Sequence, residues 1–227
     1  MLRRAVKPAR GISMVELLVG LALGLFIIAT GITLMAGNLR ENRALMLESR
    51  LLQDLRTASD IITRDLRRAG FWDGAVQAVQ LPSATPGVAN PYAALAPSAA
   101  ASDAVSFAFS RDSTENQSLD SNEQFGFRLR GGVIQMQLGS ANWQALTDVN
   151  TALISEFRVT PTIQEIDLAL HCAVPCNAAD ANCPPRQQVR SLSVSITARS
   201  SADPAVQRSL NSSVRLRNDA INGACPA

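Results

Sequence analysis

Residues 10–18 read RGISMVELL, and an apolar run continues from there to residue 36. The stretch 17–36 holds no ionisable side chain. A helix of about 20 residues, with a rise of about 1.5 Å per residue, crosses the ~30 Å hydrocarbon core of a membrane. This stretch therefore predicts a membrane-spanning helix. Carboxylates are rare in such helices, so Glu16 at the amino-terminal edge of the run is expected to have a function.

A short basic peptide precedes the apolar run, with Arg3, Arg4, Lys7 and Arg10. Positive charges before the span, and none immediately inside it, predict a cytoplasmic amino terminus and export of everything after about Asn38. A conventional signal peptide has a shorter apolar region, of about 7 to 15 residues, and a small-x-small cleavage site. Residues 34–36 match such a site poorly. We therefore expect the span to be retained as an anchor.

The segment from residue 39 onward is charged but carries one apolar stripe, formed by Leu51, Leu55, Ala58, Ile62, Leu66 and Ala69. Spacings of three and four residues predict an amphipathic helix whose apolar side packs on a core. Gly70 fits a left-handed helix cap, with Phe71 and Trp72 folding back as apolar contacts. We expect one continuous helix from Ile12 to Ala69.

Alternating apolar and polar residues predict short strands beyond the helix. They lie at 105–109, at 153–159 before Pro161, and in two hairpins within 125–138 and 192–216. Closely spaced prolines between residues 81 and 102 exclude a regular element there. Because the helix and the strands are segregated along the chain, we predict an α+β fold, with the helix covering one face of an antiparallel sheet.

The Gly131-Gly132 pair sets the register of the first hairpin. A two-residue turn at this pair predicts four facing pairs: Arg130 with Val133, Leu129 with Ile134, Phe127 with Met136, and Phe125 with Leu138. The three apolar pairs fall on one face of the hairpin. A slip of one residue would turn all of them to solvent, so the register is well specified.

Four cysteines lie in the exported part of the chain: Cys172, Cys176, Cys183 and Cys225. An even number in an oxidising compartment favours two disulfides, and the sequence leaves all three connectivities open. The alternative is a metal site formed by His171 with the first three cysteines, although thiolate zinc sites usually have tighter paired spacings. We expect disulfides, and neither a metal nor a cofactor.

The sequence indicates neither catalysis nor nucleic-acid binding. His171 is the only histidine, and no serine elbow, phosphate-binding glycine loop or metal triad occurs. The net charge is only +2, and basic residues are not interleaved with aromatic ones. The carboxylates of Asp112, Glu115, Asp120 and Glu123 lack the spacing of an EF-hand, so we expect a solvated loop.

Residues 11–18 resemble the prepilin peptidase site of type IV pilins and of type II secretion pseudopilins. In that family a basic leader is cut after a glycine, the new terminus is N-methylated, and the fifth mature residue is a glutamate. The resemblance implies cleavage after Gly11, methylation of Ile12, where phenylalanine is commoner, and a role for Glu16 in subunit assembly. The implied domains are a basic leader at 1–11, a membrane and filament-core helix at 12–36, an amphipathic helix at 37–70 and a β-rich head at 71–227.

The end of the predicted helix resembles one class of subunit within this family. Residues 64–71, RDLRRAGF, resemble the helix end of PilW-class minor pilins, and residues 213–218 resemble the last strand of the same heads. The resemblance implies a minor pilin at or near the tip of a type IV pilus, a filament type associated with cell adhesion and motility. It also implies prepilin peptidase, other minor and major pilins and the inner-membrane assembly platform as partners.

The implied location is the bacterial inner membrane, with a single pass, a cytoplasmic amino terminus and a periplasmic head, followed by the pilus at the cell surface. Two alternatives stay open. One is a J-type pseudopilin of a type II secretion system, which has a similar helix end. The other is an anchored envelope protein whose head binds a ligand and never polymerises.

Overall fold

The computed structural model describes residues 11–78, 88–177 and 179–226. The predicted basic leader up to residue 10, and residues 81–87 of the predicted proline-rich loop, lie outside the described residues. The chain divides into two compact units, one up to Met46 and one from Leu47 onward. Helix α1, Met14–Leu66, begins in the first unit and ends in the second, which also contains all the described strands.

The first unit contains the apolar part of α1. Its large side chains are exposed, including Leu17 at 59%, Phe26 at 68% and Ile27 at 67%. The mean hydropathy of its most apolar 18-residue window is 2.5, and none of that window is buried within the chain. By length and composition this helix can cross a membrane, which agrees with a single-pass anchor.

The predicted apolar stripe is confirmed in the second unit. Leu51, Leu55, Ala58, Ile62 and Leu66 all lie on the buried side of α1, with at most 3% of each residue exposed. All but the alanine belong to the main hydrophobic core, together with residues of both sheets. Burial of a leucine or isoleucine side chain contributes roughly 1.5–3 kcal/mol, so this stripe accounts for much of the attachment of the helix to the head.

The helix ends at Leu66, earlier than the predicted end at Ala69, and residues 67–70 form turns. The reason is a tightening of the last turn, because the N–H groups of Arg68 and Ala69 donate to carbonyls three residues back, at 3.0 and 3.1 Å. Gly70 has a left-handed φ of +75°, as predicted. Of the two aromatic residues that follow, Trp72 is buried and Phe71 is 45% exposed.

The strands form two antiparallel sheets, whereas the sequence predicts one. The first sheet has the order β1-β2-β3-β4-β5, with β1 at Leu95–Ala96, β2 at Ala104–Ala108, β3 at Gln124–Arg130, β4 at Val133–Leu138 and β5 at Trp143–Ala145. The second has the order β6-β7-β8, with β6 at Ala152–Asp167, β7 at Arg186–Ser200, β8 at Gln207–Arg215, and β9 at Ala220–Asn222 pairing with β7. The expectation of no regular element between residues 81 and 102 is wrong at β1, because two residues between the prolines suffice to pair with β2 at the edge of the sheet. The alternation of apolar and polar residues identifies strands. It does not show which strands pair with each other, unless a tight turn connects them. The predicted α+β, pilin-like class is confirmed.

The predicted register of the β3–β4 hairpin is confirmed. Arg130 faces Val133, Phe127 faces Met136, and the remaining pairs follow in the same register. Gly131 and Gly132 have φ of +62° and +75°, the left-handed values that both central residues of a type I′ turn require.

Strand β6 continues through Pro161 to Asp167, although the sequence predicts an end before this proline. The reason is the orientation of the backbone at the sheet edge. Val159 exchanges hydrogen bonds with Ser102, away from β7, at 2.8 and 3.0 Å. Residue 161 is two positions further along β6, so its backbone also faces away from β7. Proline has no N–H, but at this position an N–H would point away from β7, so no hydrogen bond of the sheet is lost.

The two sheets and the second half of α1 enclose one main core. Phe127, Phe157 and Ile196 lie at its centre, each at most 2% exposed. The second hairpin, β7–β8, supplies part of this core, and its pairing of Leu192 with Val214 places both residues on the buried face.

Candidate functional site

The predicted processing site lies where the described chain begins. Residues 11–13 have no regular secondary structure, and α1 starts at Met14. Gly11 is exposed, and 74% of Ile12 is exposed. The peptide bond between them is therefore outside the helix, where its carbonyl and amide groups are not engaged in helical hydrogen bonds.

Ser13 caps the amino terminus of the helix. Its Oγ accepts the backbone N–H of Glu16 at 3.2 Å, and its carbonyl accepts the N–H of Leu17 at 3.1 Å. A serine cap followed three residues later by a glutamate is the sequence pattern of a capping box, and the structure contains the serine half of it. The signal for this cap is local, because Ser13 and Glu16 are three residues apart in the sequence.

Glu16 lies in the first turn of α1 and its side chain is exposed. A carboxylate in this turn is favoured by the partial positive charge of the helix amino terminus. Across the described ranges 11–78, 88–177 and 179–226, no basic side chain forms a salt bridge with it. The roles expected for Gly11, Ile12 and Glu16 thus remain predictions, since each depends on another molecule.

Two glycines in the apolar part of α1 form the small-xxx-small pair Gly20 and Gly24. A Cβ built on either would meet no atom of this chain within 4 Å, apart from the helix itself. Nothing in the fold of a single chain therefore requires glycine at these positions. In membranes, small residues at this spacing allow the backbones of two helices to approach closely.

The four cysteines form two disulfides in the structure, Cys172–Cys225 and Cys176–Cys183. The first joins the segment after β6 to the carboxy-terminal residues and closes a loop of 53 residues. The second closes a tight loop within the β6–β7 connection. Of the three connectivities that the sequence left open, this is the one that the structure contains.

The cysteines form disulfides and not the alternative metal site of His171 with Cys172, Cys176 and Cys183. The sulfurs of Cys172, Cys176 and Cys183 lie within 4.8 Å of one another, but each is bonded to another sulfur, and His171 is not part of the group. A thiolate is needed to bind zinc, and a disulfide sulfur does not supply one.

The acidic loop is less solvated than the sequence predicts, because Glu123 is completely buried. Its carboxylate accepts the backbone N–H groups of Arg111 and Asp120 at 2.8 and 2.9 Å, and the hydroxyl of Tyr92 at 3.3 Å. These hydrogen bonds compensate the burial of a charge. Burial, then hydrogen bonds to Glu115 and Glu123, raise the pKa of the Tyr92 hydroxyl above its ordinary value.

Carboxylate oxygens of Asp112, Asp120 and Glu123 come within 4.8 Å of one another. Burial and the charge of Glu123 raise the pKa of Asp112. The buried carboxylate of the three, that of Glu123, accepts hydrogen bonds from two backbone N–H groups and the Tyr92 hydroxyl, so the fold of the loop is built around this carboxylate.

A family model described as "Prepilin peptidase-dependent protein B" matches residues 44–216, about three quarters of the chain. The matched region includes the buried half of α1 and every strand from β1 to β8. It does not include the predicted processing site around Gly11. No curated protein and no solved structure matches the chain.

Proposed function

The chain belongs to the prepilin peptidase-dependent protein B family, and from this we propose that it is a minor pilin that helps to start assembly of a type IV pilus. The family is one of pilin-like structural proteins and not of enzymes, which confirms that catalysis is not the function of this chain. Dependence on prepilin peptidase and a pilin-like architecture are properties of the family. The PilW class, the type IV pilus and a position at or near the tip are our proposal.

The observation that carries the proposal is the placement of the Gly11–Ile12 bond. It lies in exposed, non-helical chain, immediately before the capping residue of an apolar helix that can cross a membrane. A peptidase can bind this segment in extended form without unwinding α1. Cleavage would leave Ile12 as the new amino terminus, two residues before the first helical residue.

Glu16 is proposed to pair with the positive amino terminus of Ile12 in a neighbouring subunit. An unpaired carboxylate within an apolar bundle is costly, whereas a paired one is tolerated. The pair would therefore favour one axial register between neighbouring helices over registers that leave both charges alone. Close packing at Gly20 and Gly24 would bring the two helices together in that register.

The proposed partners follow from this role: prepilin peptidase, other minor and major pilins, and the assembly platform of the inner membrane. The proposed topology has a cytoplasmic leader, a single membrane pass and a periplasmic head, which enters the pilus after processing. Two disulfides in the head fit an oxidising compartment.

A J-type pseudopilin of type II secretion is the second candidate, because residues 64–71 resemble both kinds of subunit. It would differ from the first in its partners and not in its processing or packing. The identity of the co-purifying subunits distinguishes the two.

Processing is tested by determining the amino terminus of the protein from membranes of cells with and without prepilin peptidase. We expect an N-methylated Ile12 terminus in the first case and a Met1 terminus in the second. A Met1 terminus in both would rule out every pilin-like function and leave an anchored envelope protein that never polymerises.

Assembly is tested with Glu16→Ala and Glu16→Gln, with Glu41→Ala as the matched control at an exposed helical position. We expect both Glu16 variants to be processed normally but to reach filaments in reduced amount, and the control to behave as the wild type. Normal incorporation of Glu16→Gln, which keeps the shape but loses the charge, would refute the pairing.

A further inference from the structure

Strand β8 forms an edge of the second sheet. It is the last strand in the order β6-β7-β8, and no described strand pairs with its outer side. A sheet edge presents backbone donors and acceptors that can pair with another chain. The outer edge of β8 can therefore accept a further strand.

The register of β8 shows which of its backbone groups are free. The N–H of Leu216 donates to the carbonyl of Arg190 in β7 at 3.0 Å, so alternate residues Val214 and Leu216 face β7. Ser213 and Arg215 must then direct their N–H and C=O groups away from β7. The next residue in this series, Arg217, supports this assignment, because its N–H donates outward to the carbonyl of Arg67 at 3.3 Å.

A cavity of about 500 Å³ lies along this edge, lined by Arg67, in the turn just after α1, and by residues 213–217. Three of the lining residues are arginines, and none is acidic. Arg215 forms a long ion pair with Asp219, at 3.4 Å. Within the described part of the chain, neither Arg67 nor Arg217 has a salt-bridge partner.

The side chains along the edge divide between the two faces of the sheet. Val214 and Leu216 are buried in the core, while Ser213, Arg215 and Arg217 are exposed on the other face. Because burial of the alternate residues holds the strand in place, the arginines are presented on a fixed backbone. Guanidinium groups bind carboxylates through paired, charge-assisted hydrogen bonds.

We propose that the outer edge of β8 binds an extended acidic segment of another pilin-like subunit. The segment would add to the sheet as a strand through the free backbone groups of Ser213 and Arg215, and its carboxylates would pair with Arg67 and Arg217. This mode of recognition takes affinity from main-chain hydrogen bonds and specificity from side chains. The inference rests on the proposed function, since its partner is a subunit of the same filament.

Crosslinking in cells tests the docking surface on the full-length chain. A photoreactive amino acid replaces Ser213, and crosslinked peptides are identified by mass spectrometry. We expect a crosslink to an acidic, extended segment of another prepilin-type subunit. A crosslink to lipid only, or no protein crosslink although the chain has an Ile12 terminus and reaches filaments, would overturn the docking proposal while leaving the proposed function intact. A Met1 terminus would overturn the function instead.

Charge reversal tests the role of the arginines. Arg217→Glu and Arg67→Glu each replace a charge-assisted contact with a repulsion, so each should lower the crosslink yield about tenfold. Arg130→Glu is the matched control, because Arg130 is exposed and belongs to a different sheet. Equal yields from Arg217→Glu and Arg130→Glu would overturn the electrostatic part of the proposal.

The backbone contribution is tested by co-purification with the partner that crosslinking identifies. Ser213→Pro removes an N–H that faces outward, so the ladder with β7 is preserved, as it is at the natural Pro161 of β6. Ser213→Ala removes only the hydroxyl. We expect the proline variant to lose the partner and the alanine variant to keep it, with both variants showing the wild-type thermal unfolding. Equal recovery of the partner with both variants would refute strand addition.

Discussion

Substitution of Ile62 by alanine tests whether the stripe of α1 holds the helix on the head. Ile62 is 0% exposed and lies in the main core with residues of both sheets. Truncation of a buried isoleucine to alanine costs about 2–5 kcal/mol, which includes the cavity that remains. The higher helix propensity of alanine offsets only a few tenths of a kcal/mol of this loss.

The expected result is a lower midpoint of thermal unfolding. For a domain of this size, 1 kcal/mol corresponds to about 2–4 °C, so a loss near 3 kcal/mol predicts a decrease of roughly 6–12 °C. The transition is followed by the fluorescence of the two tryptophans in full-length protein in detergent. Gln53→Ala, at an exposed position of the same helix, is the control. If both variants unfold within about 2 °C of the wild type, the stripe does not carry the attachment.

Three further changes test other contacts of the head. Tyr92→Phe removes a hydroxyl that lies 3.1 Å from a carboxylate oxygen of Glu115 and 3.3 Å from one of Glu123. Its one proton donates to a carboxylate in either case, and a hydrogen bond to a charged group contributes about 1.5–3 kcal/mol, so the midpoint should fall by several degrees; an unchanged midpoint would contradict this contribution. Gly126→Ala places a Cβ 2.7 Å from the carbonyl oxygen of Val105, so overpacking should destabilise the head by about 1–3 kcal/mol in denaturant titrations, and a neutral effect would show that β2 and β3 separate easily. Cys225→Ser opens the disulfide that closes a 53-residue loop, and a loss of about 2–5 kcal/mol is expected. Alkylation and peptide mapping should place the one free thiol at Cys172, the partner of Cys225; a free thiol at Cys176 or Cys183 instead would refute the connectivity.

The sequence was most informative where a feature depends on residues that are close along the chain. The apolar stripe of α1 and the register of the Gly131-Gly132 hairpin were both predicted, because each follows from a local period or a two-residue turn. The end of α1 was predicted three residues too late, since the stripe continues through the buried Ala69 although the hydrogen bonding has already changed.

Features that depend on distant residues were missed. The burial of Glu123 requires Tyr92 and the backbone of Arg111, which only the fold brings together. The passage of β6 through Pro161 depends on which side of the strand faces solvent, and this is set by the bridge between Val159 and Ser102. Pairing of the cysteines and division of the strands into two sheets are likewise properties of the fold and not of local pattern.

Glu16 can stabilise the amino terminus of its own helix, or it can pair with a neighbouring subunit. The helix amino terminus is capped by the hydroxyl of Ser13, so local structure needs at most the weak dipole contribution of a carboxylate, about 0.3–1 kcal/mol. A contribution of that size cannot account for complete loss of filament incorporation on removal of the charge. A large assembly defect with intact processing would therefore have to come from a contact between subunits. The head would be unaffected, because its core begins at Leu51, far along the chain from Glu16.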